Sequence, residues 1–84
     1  MVIIYSAEWC GPCVYAKKLL NEKNIQYKEI DIEQNDISRE DLEKMTGGST
    51  VPQIIINDKC IGGFDQLLKL EQSGELNKLL WLQN

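Results

Sequence analysis

Two cysteines, Cys10 and Cys13, stand two residues apart in the stretch AEWCGPC, and the 84-residue chain that carries them has no histidine. That combination narrows the available chemistry more than any other feature of the sequence. Without an imidazole, nucleophile–base pairs of the Ser-His or Cys-His kind cannot be built. Cys60 is the only other cysteine, so a structural zinc site, which takes four Cys or His ligands, is short of donors. An odd cysteine count in so short a chain also argues against a secreted scaffold held by disulfides. Thiol chemistry is what remains.

The flanking pattern says what kind. Val2 to Tyr5 is a β-branched and aromatic run, patterned as a strand buried on both faces. From Gly11 the period changes to helical: Cys13, Ala16, Leu19 and Leu20 share one face, Lys17, Lys18, Asn21 and Glu22 the other, and the helix is expected to end near Asn24. Cys10 therefore precedes the first helical turn, where unpaired N–H groups and the positive end of the helix dipole favour a thiolate. Pro12 suits the first helical position, where a missing N–H costs nothing. Cys13 follows one turn on, within disulfide reach.

A Cys-x-x-Cys pair at such a strand-to-helix junction reads as redox chemistry. The Cys10 thiolate attacks a substrate disulfide, Cys13 resolves the mixed disulfide, and an external reductant restores both thiols. Trp9 reads equally as a packing residue or as part of the substrate surface.

The rest of the chain sorts into alternating elements. Ile25 to Ile32 alternates apolar and polar residues as a second strand. Ser38 is a candidate N-cap for a short polar helix to about Thr46, stopped by Gly47-Gly48. A third strand lies within Val51 to Ile56, with Pro52 tolerated at its start, and Asn57-Asp58-Lys59 turns it into a brief antiparallel fourth through Cys60 and Ile61. Phe64 to Gln72 is helical, Ser73-Gly74 interrupts, and Glu75 to Leu82 is a last amphipathic stretch. The order is βαβαββα with a terminal helical extension, one domain over residues 1–84. The two βα crossovers are expected to make the first three strands parallel, with helices on both faces of a mixed four-stranded sheet. Cys60 is expected to be half-buried without catalytic duty, and Trp81 with Leu76, Leu79, Leu80 and Leu82 to pack on the sheet.

CGPC, TVPQ and IGGFDQL at these spacings resemble the thioredoxin superfamily, and within it the glutaredoxins. AKKLL (Ala16 to Leu20) is similar to the glutaredoxin helix after the second cysteine, and Thr50 to Leu67 resembles the family's TVP…IGG segment. Thioredoxins carry a buried acid where this chain has Ile4 and a helix-kinking proline where it has Lys18, so only the loop is thioredoxin-like. The resemblance implies a thioredoxin fold and a dithiol oxidoreductase with Cys10 and Cys13 catalytic. It implies a cis peptide at Pro52, although the residues alone favour trans. It also implies a glutathione and substrate surface of Trp9, Gly11, Pro12, Thr50, Val51, Pro52, Gly63, Phe64 and Asp65, with the γ-glutamyl end at Phe64 and Asp65.

Two family cations are missing: Ala7 and Gly48-Ser49 occupy positions where a Lys or other base often meets a glutathione carboxylate. Arg39 and Lys44 are the candidates to replace them. The family implies ribonucleotide reductase as an electron acceptor. The CGPC loop leaves a thioredoxin-reductase-like flavoenzyme open as reductant in place of glutathione. A glutathione-ligated [2Fe–2S] carrier is the rival class, weakened by the proline in the loop.

Charge and hydropathy close off other partners. Thirteen acidic against nine basic residues leave a net charge of −4, the wrong sign for a phosphate-binding surface, so no nucleic acid is expected. The acidic stretch Asp36 to Glu43 reads as a solvated helix face. No window approaches the ~20 apolar residues of a membrane span, and the first residues lack the pattern of a signal peptide. The expectation is a cytosolic monomer without a resident metal or tightly bound cofactor.

Overall fold

The computed structural model of the chain describes residues 1–81. In chain order the elements are β1 (Val2–Ser6), α1 (Gly11–Glu22), β2 (Lys28–Asp31), α2 (Arg39–Thr46), β3 (Gln53–Ile56), β4 (Lys59–Gly62), α3 (Phe64–Ser73) and α4 (Glu75–Trp81). The strands lie side by side as β2-β1-β3-β4, a mixed sheet with helices on both faces.

One expectation about strand direction fails. β1 and β2 are parallel, with Ile4 opposite Glu29, but β3 runs antiparallel to β1, with Tyr5 opposite Gln53 and Val2 opposite Ile56. The handedness rule fixes the hand of a crossover that joins parallel strands; it does not decide whether a helix crosses the sheet. Here the chain leaves β2 at Asp31 and re-enters the sheet at Gln53, beside Tyr5, at the same end. α2 folds back over that end, so the loops on both sides of α2 gather where β1 delivers Cys10.

Local sequence explains the element boundaries. α1 stops at Glu22 because Asn24 takes a left-handed conformation (φ 57°) and the Ile25 N–H reaches back to the Leu20 carbonyl at 2.9 Å. The segment 25–27 is therefore irregular, and β2 begins at Lys28, later than the alternation suggested. Ser38 caps α2 as expected: its Oγ accepts the Asp41 N–H at 3.0 Å while the Asp41 carboxylate accepts the Ser38 N–H at 3.3 Å. Gly47 ends that helix at φ 87°. Asn57 and Asp58 both have positive φ, the two-residue turn whose twist matches a hairpin.

Two apolar clusters pack against the sheet. Val2, Ile4, Ile54 and Ile56 face Ala16 and Leu20 of α1, Leu67 of α3 and Leu76 of α4. Around the end of β1 and towards the other face a second cluster gathers Ala7, Cys10, Cys13, Ile32 and Leu42 of α2, with Tyr5, Ile37 and Val51 packed against it. β1 is thus fully buried on one face and half-covered on the other, where the sequence suggested burial on both. Leu79 and Leu80 pack against the first cluster, as expected; the expectations for the Trp81 side chain and Leu82 fall outside the described residues. No described helix is long and apolar enough to cross a membrane.

Candidate active site

Cys10 is the N-cap of α1, with extended backbone (φ −88°, ψ 108°). Its N–H donates to the Ala7 carbonyl at 3.1 Å, and its Sγ accepts the Cys13 N–H at 3.1 Å. Gly11 begins the helix, so Pro12 is its second residue, one position later than the sequence suggested. Cys10 and Cys13 form a disulfide with their Cα atoms 5.3 Å apart. Both are almost fully buried.

The Val51–Pro52 peptide is cis, as the resemblance implied. The Val51 carbonyl oxygen lies 3.5 Å from Cys10 Sγ. A disulfide sulfur carries no proton, so this contact is a hydrogen bond only when Cys10 is a reduced thiol.

Two cavities meet at this point. The larger, about 660 Å³, is lined by Tyr15, Thr46, Gly48, Pro52, Gln53, Cys60, Gly63, Phe64, Asp65 and Gln66, among others. The smaller, about 360 Å³, is lined by Trp9, Cys10, Gly11, Ile32, Arg39 and Ser49. Pro12, Thr50 and Val51 border both and form the ridge between them. Cys13 borders neither. A partner can thus reach Cys10 but not Cys13, the asymmetry that an attacking and a resolving thiol require.

Every residue of the expected catalytic pair and glutathione surface therefore lines one of these cavities, except Cys13 beneath them. Of the two candidate replacement cations, Arg39 lines the smaller cavity, whereas Lys44 pairs with Glu40 on the exposed face of α2 at 3.6 Å. Among the lining residues that the sequence did not assign to the site, four shape it most. Tyr15 holds its ring 6.0 Å from Phe64. Gln53 is buried, and its Nε2 donates to the Thr50 carbonyl at 2.9 Å; a side-chain atom at Gly48 would collide with it. Gln66 accepts the Gly63 N–H at 2.9 Å, doing the capping work of an acid. Cys60, expected to be half-buried, is exposed; it lies on β4, the edge strand of the sheet. The exposed Cys60 and the other three are tertiary outcomes; only the spacing of Tyr15, two residues after Cys13, offered a hint.

Beneath the loop, Glu29 of β2 fixes the end of β1. Its Oε2 accepts from Ser6 Oγ at 2.7 Å and from Lys17 Nζ at 2.8 Å. The Lys17 bond first and the Ser6 bond second hold its carboxyl below the ordinary range, against a smaller opposing effect of burial.

The family model for glutaredoxin matches residues 2–61. The chain belongs to the glutaredoxin family. As a glutaredoxin it is a thiol–disulfide oxidoreductase with a redox-active cysteine pair. It is 43% identical over 83 residues to glutaredoxin 1 of Rickettsia prowazekii, covering 94% of this chain and 85% of that one. It is also 43% identical over 79 residues to glutaredoxin 3 of Escherichia coli, covering 94% and 95%. Among solved structures, a buckwheat glutaredoxin–glutathione complex matches with a TM-score of 0.86 at 32% identity, over 94% of this chain and 74% of that one. The holo form of glutaredoxin C1 from Populus tremula x tremuloides matches with a TM-score of 0.87 at 35% identity, over 95% and 82%.

Proposed function

We propose that this glutaredoxin reduces polypeptide disulfides and glutathione mixed disulfides, with Cys10 attacking, Cys13 resolving and glutathione as the reducing co-substrate. The observation that carries the reading is the placement of Cys10 Sγ at the mouth of a cavity, under the Cys13 N–H and beside the Val51 carbonyl. In the first step the Cys10 thiolate attacks one sulfur of the substrate; the substrate S–S bond breaks, and the leaving thiolate takes up a proton. Cys13, as its thiolate, then attacks Cys10 Sγ, forming the Cys10–Cys13 bond and releasing the second substrate thiol. Two glutathione molecules return the pair to thiols and leave as glutathione disulfide.

The ridge of Pro12, Thr50 and Val51, with Pro52 on its larger-cavity side, suits the cysteine of a bound tripeptide, whose backbone pairs with Val51. The γ-glutamyl end goes to the larger cavity, where the first-turn N–H groups of Phe64 and Asp65 have no intrahelical acceptor and the Asp65 carboxylate meets the α-ammonium. Gly63 leaves the approach open. The glycine carboxylate goes to the smaller cavity, over Gly11 and Pro12, where Arg39 stands in for the cations absent at Ala7 and Gly48-Ser49. Trp9 walls that side. The buckwheat complex supports this choice of ligand, since that relative was solved with glutathione.

The site works in a monomer, in the cytoplasm, where thiols are kept reduced. Reducing the disulfide of an enzyme such as ribonucleotide reductase, and so returning its thiols, is the kind of task it suits. The test compares reduction of a disulfide substrate driven by glutathione with glutathione reductase against NADPH with thioredoxin reductase. Faster turnover with glutathione, abolished by Cys10→Ser, supports the reading; turnover with the flavoenzyme alone overturns it.

A further inference from the structure

Trp9 forms the wall of the smaller cavity beside Cys10, yet it is 62% exposed, so packing alone does not choose its rotamer. One hydrogen bond does: the indole Nε1–H donates to Glu33 Oε1 at 3.1 Å. Glu33 in turn sits in a loop with little freedom. Asp31 Oδ1 accepts the N–H groups of Glu33 and Gln34 at 2.9 and 3.0 Å, and Asn35 Nδ2 donates to the Asp31 carbonyl at 2.8 Å. The Ile37 N–H closes the loop onto the Ile32 carbonyl at 2.8 Å. Ile32 and Arg39, which bracket this loop, line the same cavity as Trp9.

We propose that Glu33 is a positioning residue for polypeptide substrates: by holding Trp9 it fixes an aromatic wall on which the chain beside the attacked cysteine packs. The inference rests on the disulfide-reductase reading above and deepens it. Glutathione carries only a glycine on the carboxyl side of its cysteine, which has no side chain to lay on an indole. A polypeptide disulfide does carry one, and a tryptophan ring with its N–H already satisfied offers it a large apolar face. Ordering a mobile side chain at the moment of binding costs affinity. The bond to Glu33 meets that cost before the substrate arrives, so the gain falls on substrates that cover Trp9.

The experiment measures steady-state kinetics on two substrates, a disulfide-bonded peptide with apolar residues beside its cysteines and the mixed disulfide of cysteine and glutathione. Glu33→Ala is expected to raise KM for the peptide about fivefold, the equivalent of one exposed hydrogen bond, with kcat little changed and a much smaller effect on the mixed disulfide. Glu33→Gln keeps an acceptor oxygen and is expected to restore most of the affinity. In a Trp9→Phe background, which lacks the N–H, Glu33→Ala is expected to add nothing. The Trp9 indole N–H resonance, identified by its loss in Trp9→Phe, is expected to shift in Glu33→Ala and to stay near its place in Glu33→Gln. Equal KM changes on both substrates, an effect that survives in Trp9→Phe, or no change in peptide KM would each overturn the proposal. A wild-type protein that reduces neither disulfide overturns the disulfide-reductase reading itself, and this inference with it.

Discussion

Replacing Glu29 by leucine separates two contributions that meet on one carboxylate oxygen. The first is the ion pair with Lys17, whose side chains are 30% and 39% exposed; a pair open to solvent to that degree is screened and contributes ~0.2–1 kcal/mol. The second is the bond from Ser6, a residue only 1% exposed. Removing its acceptor leaves a buried hydroxyl without a side-chain partner, at a cost of ~1–3 kcal/mol. Glu29→Leu should therefore destabilise by about 1–4 kcal/mol and Lys17→Met by no more than about 1 kcal/mol. The double variant Ser6→Ala/Glu29→Leu should recover most of the Ser6 share. Urea unfolding of the reduced protein measures all three, and for a domain of this size each kcal/mol corresponds to ~4–8 °C in Tm.

The same carboxylate sets a pH signature. Its pKa is depressed in the fold, first by Lys17 and then by Ser6, so its charge contributes fully above the unfolded-state value of about 4.3 and fades as pH falls through the lower folded value. The stability gap between wild type and Glu29→Leu should be level near neutrality and shrink in acid. Lys17→Met costing as much as Glu29→Leu, a double variant no better than Glu29→Leu, or a gap that widens below about pH 4 would refute the reasoning.

Three further outcomes can be checked directly. Cys13→Ser should keep turnover of glutathione mixed disulfides, which needs only Cys10, and lose most turnover of intramolecular polypeptide disulfides, measured side by side with glutathione as reductant. Arg39→Ala should raise the glutathione KM about fivefold with little change in kcat, the loss of one partly screened charge-assisted bond. Gly48→Ala should lower stability by ~1–3 kcal/mol in thermal unfolding, because the new methyl group must displace the buried Gln53 amide.

The chemistry was legible because it is local. Two cysteines at the start of a helix need only four residues of sequence to declare themselves, and the Ser38 cap, the Gly47 stop and the Asn57-Asp58 turn are equally short-range. The direction of β3 was not legible, since the pattern of α2 is the same whether it crosses the sheet or folds back. Nor was the sorting of Arg39 from Lys44: both lie on one short helix, and only its placement over Ile32 and Val51 turns one into the cavity and leaves the other in solvent. Composition does not reveal that Cys60 lies exposed on β4, an edge strand. Trp9 stood out at once, but its tether is a glutamate 24 positions away in sequence.

The bond between Cys10 and Cys13 joins residues only three positions apart. A cross-link that closes so short a loop restricts the unfolded chain little, by about 2 kcal/mol on the chain-entropy account, against nearly 5 for a loop of about 100 residues. The architecture rests on the two apolar clusters flanking the sheet, so the linkage is a moving part more than a girder. A catalyst built this way can be charged and discharged repeatedly while the scaffold that aims it stays assembled.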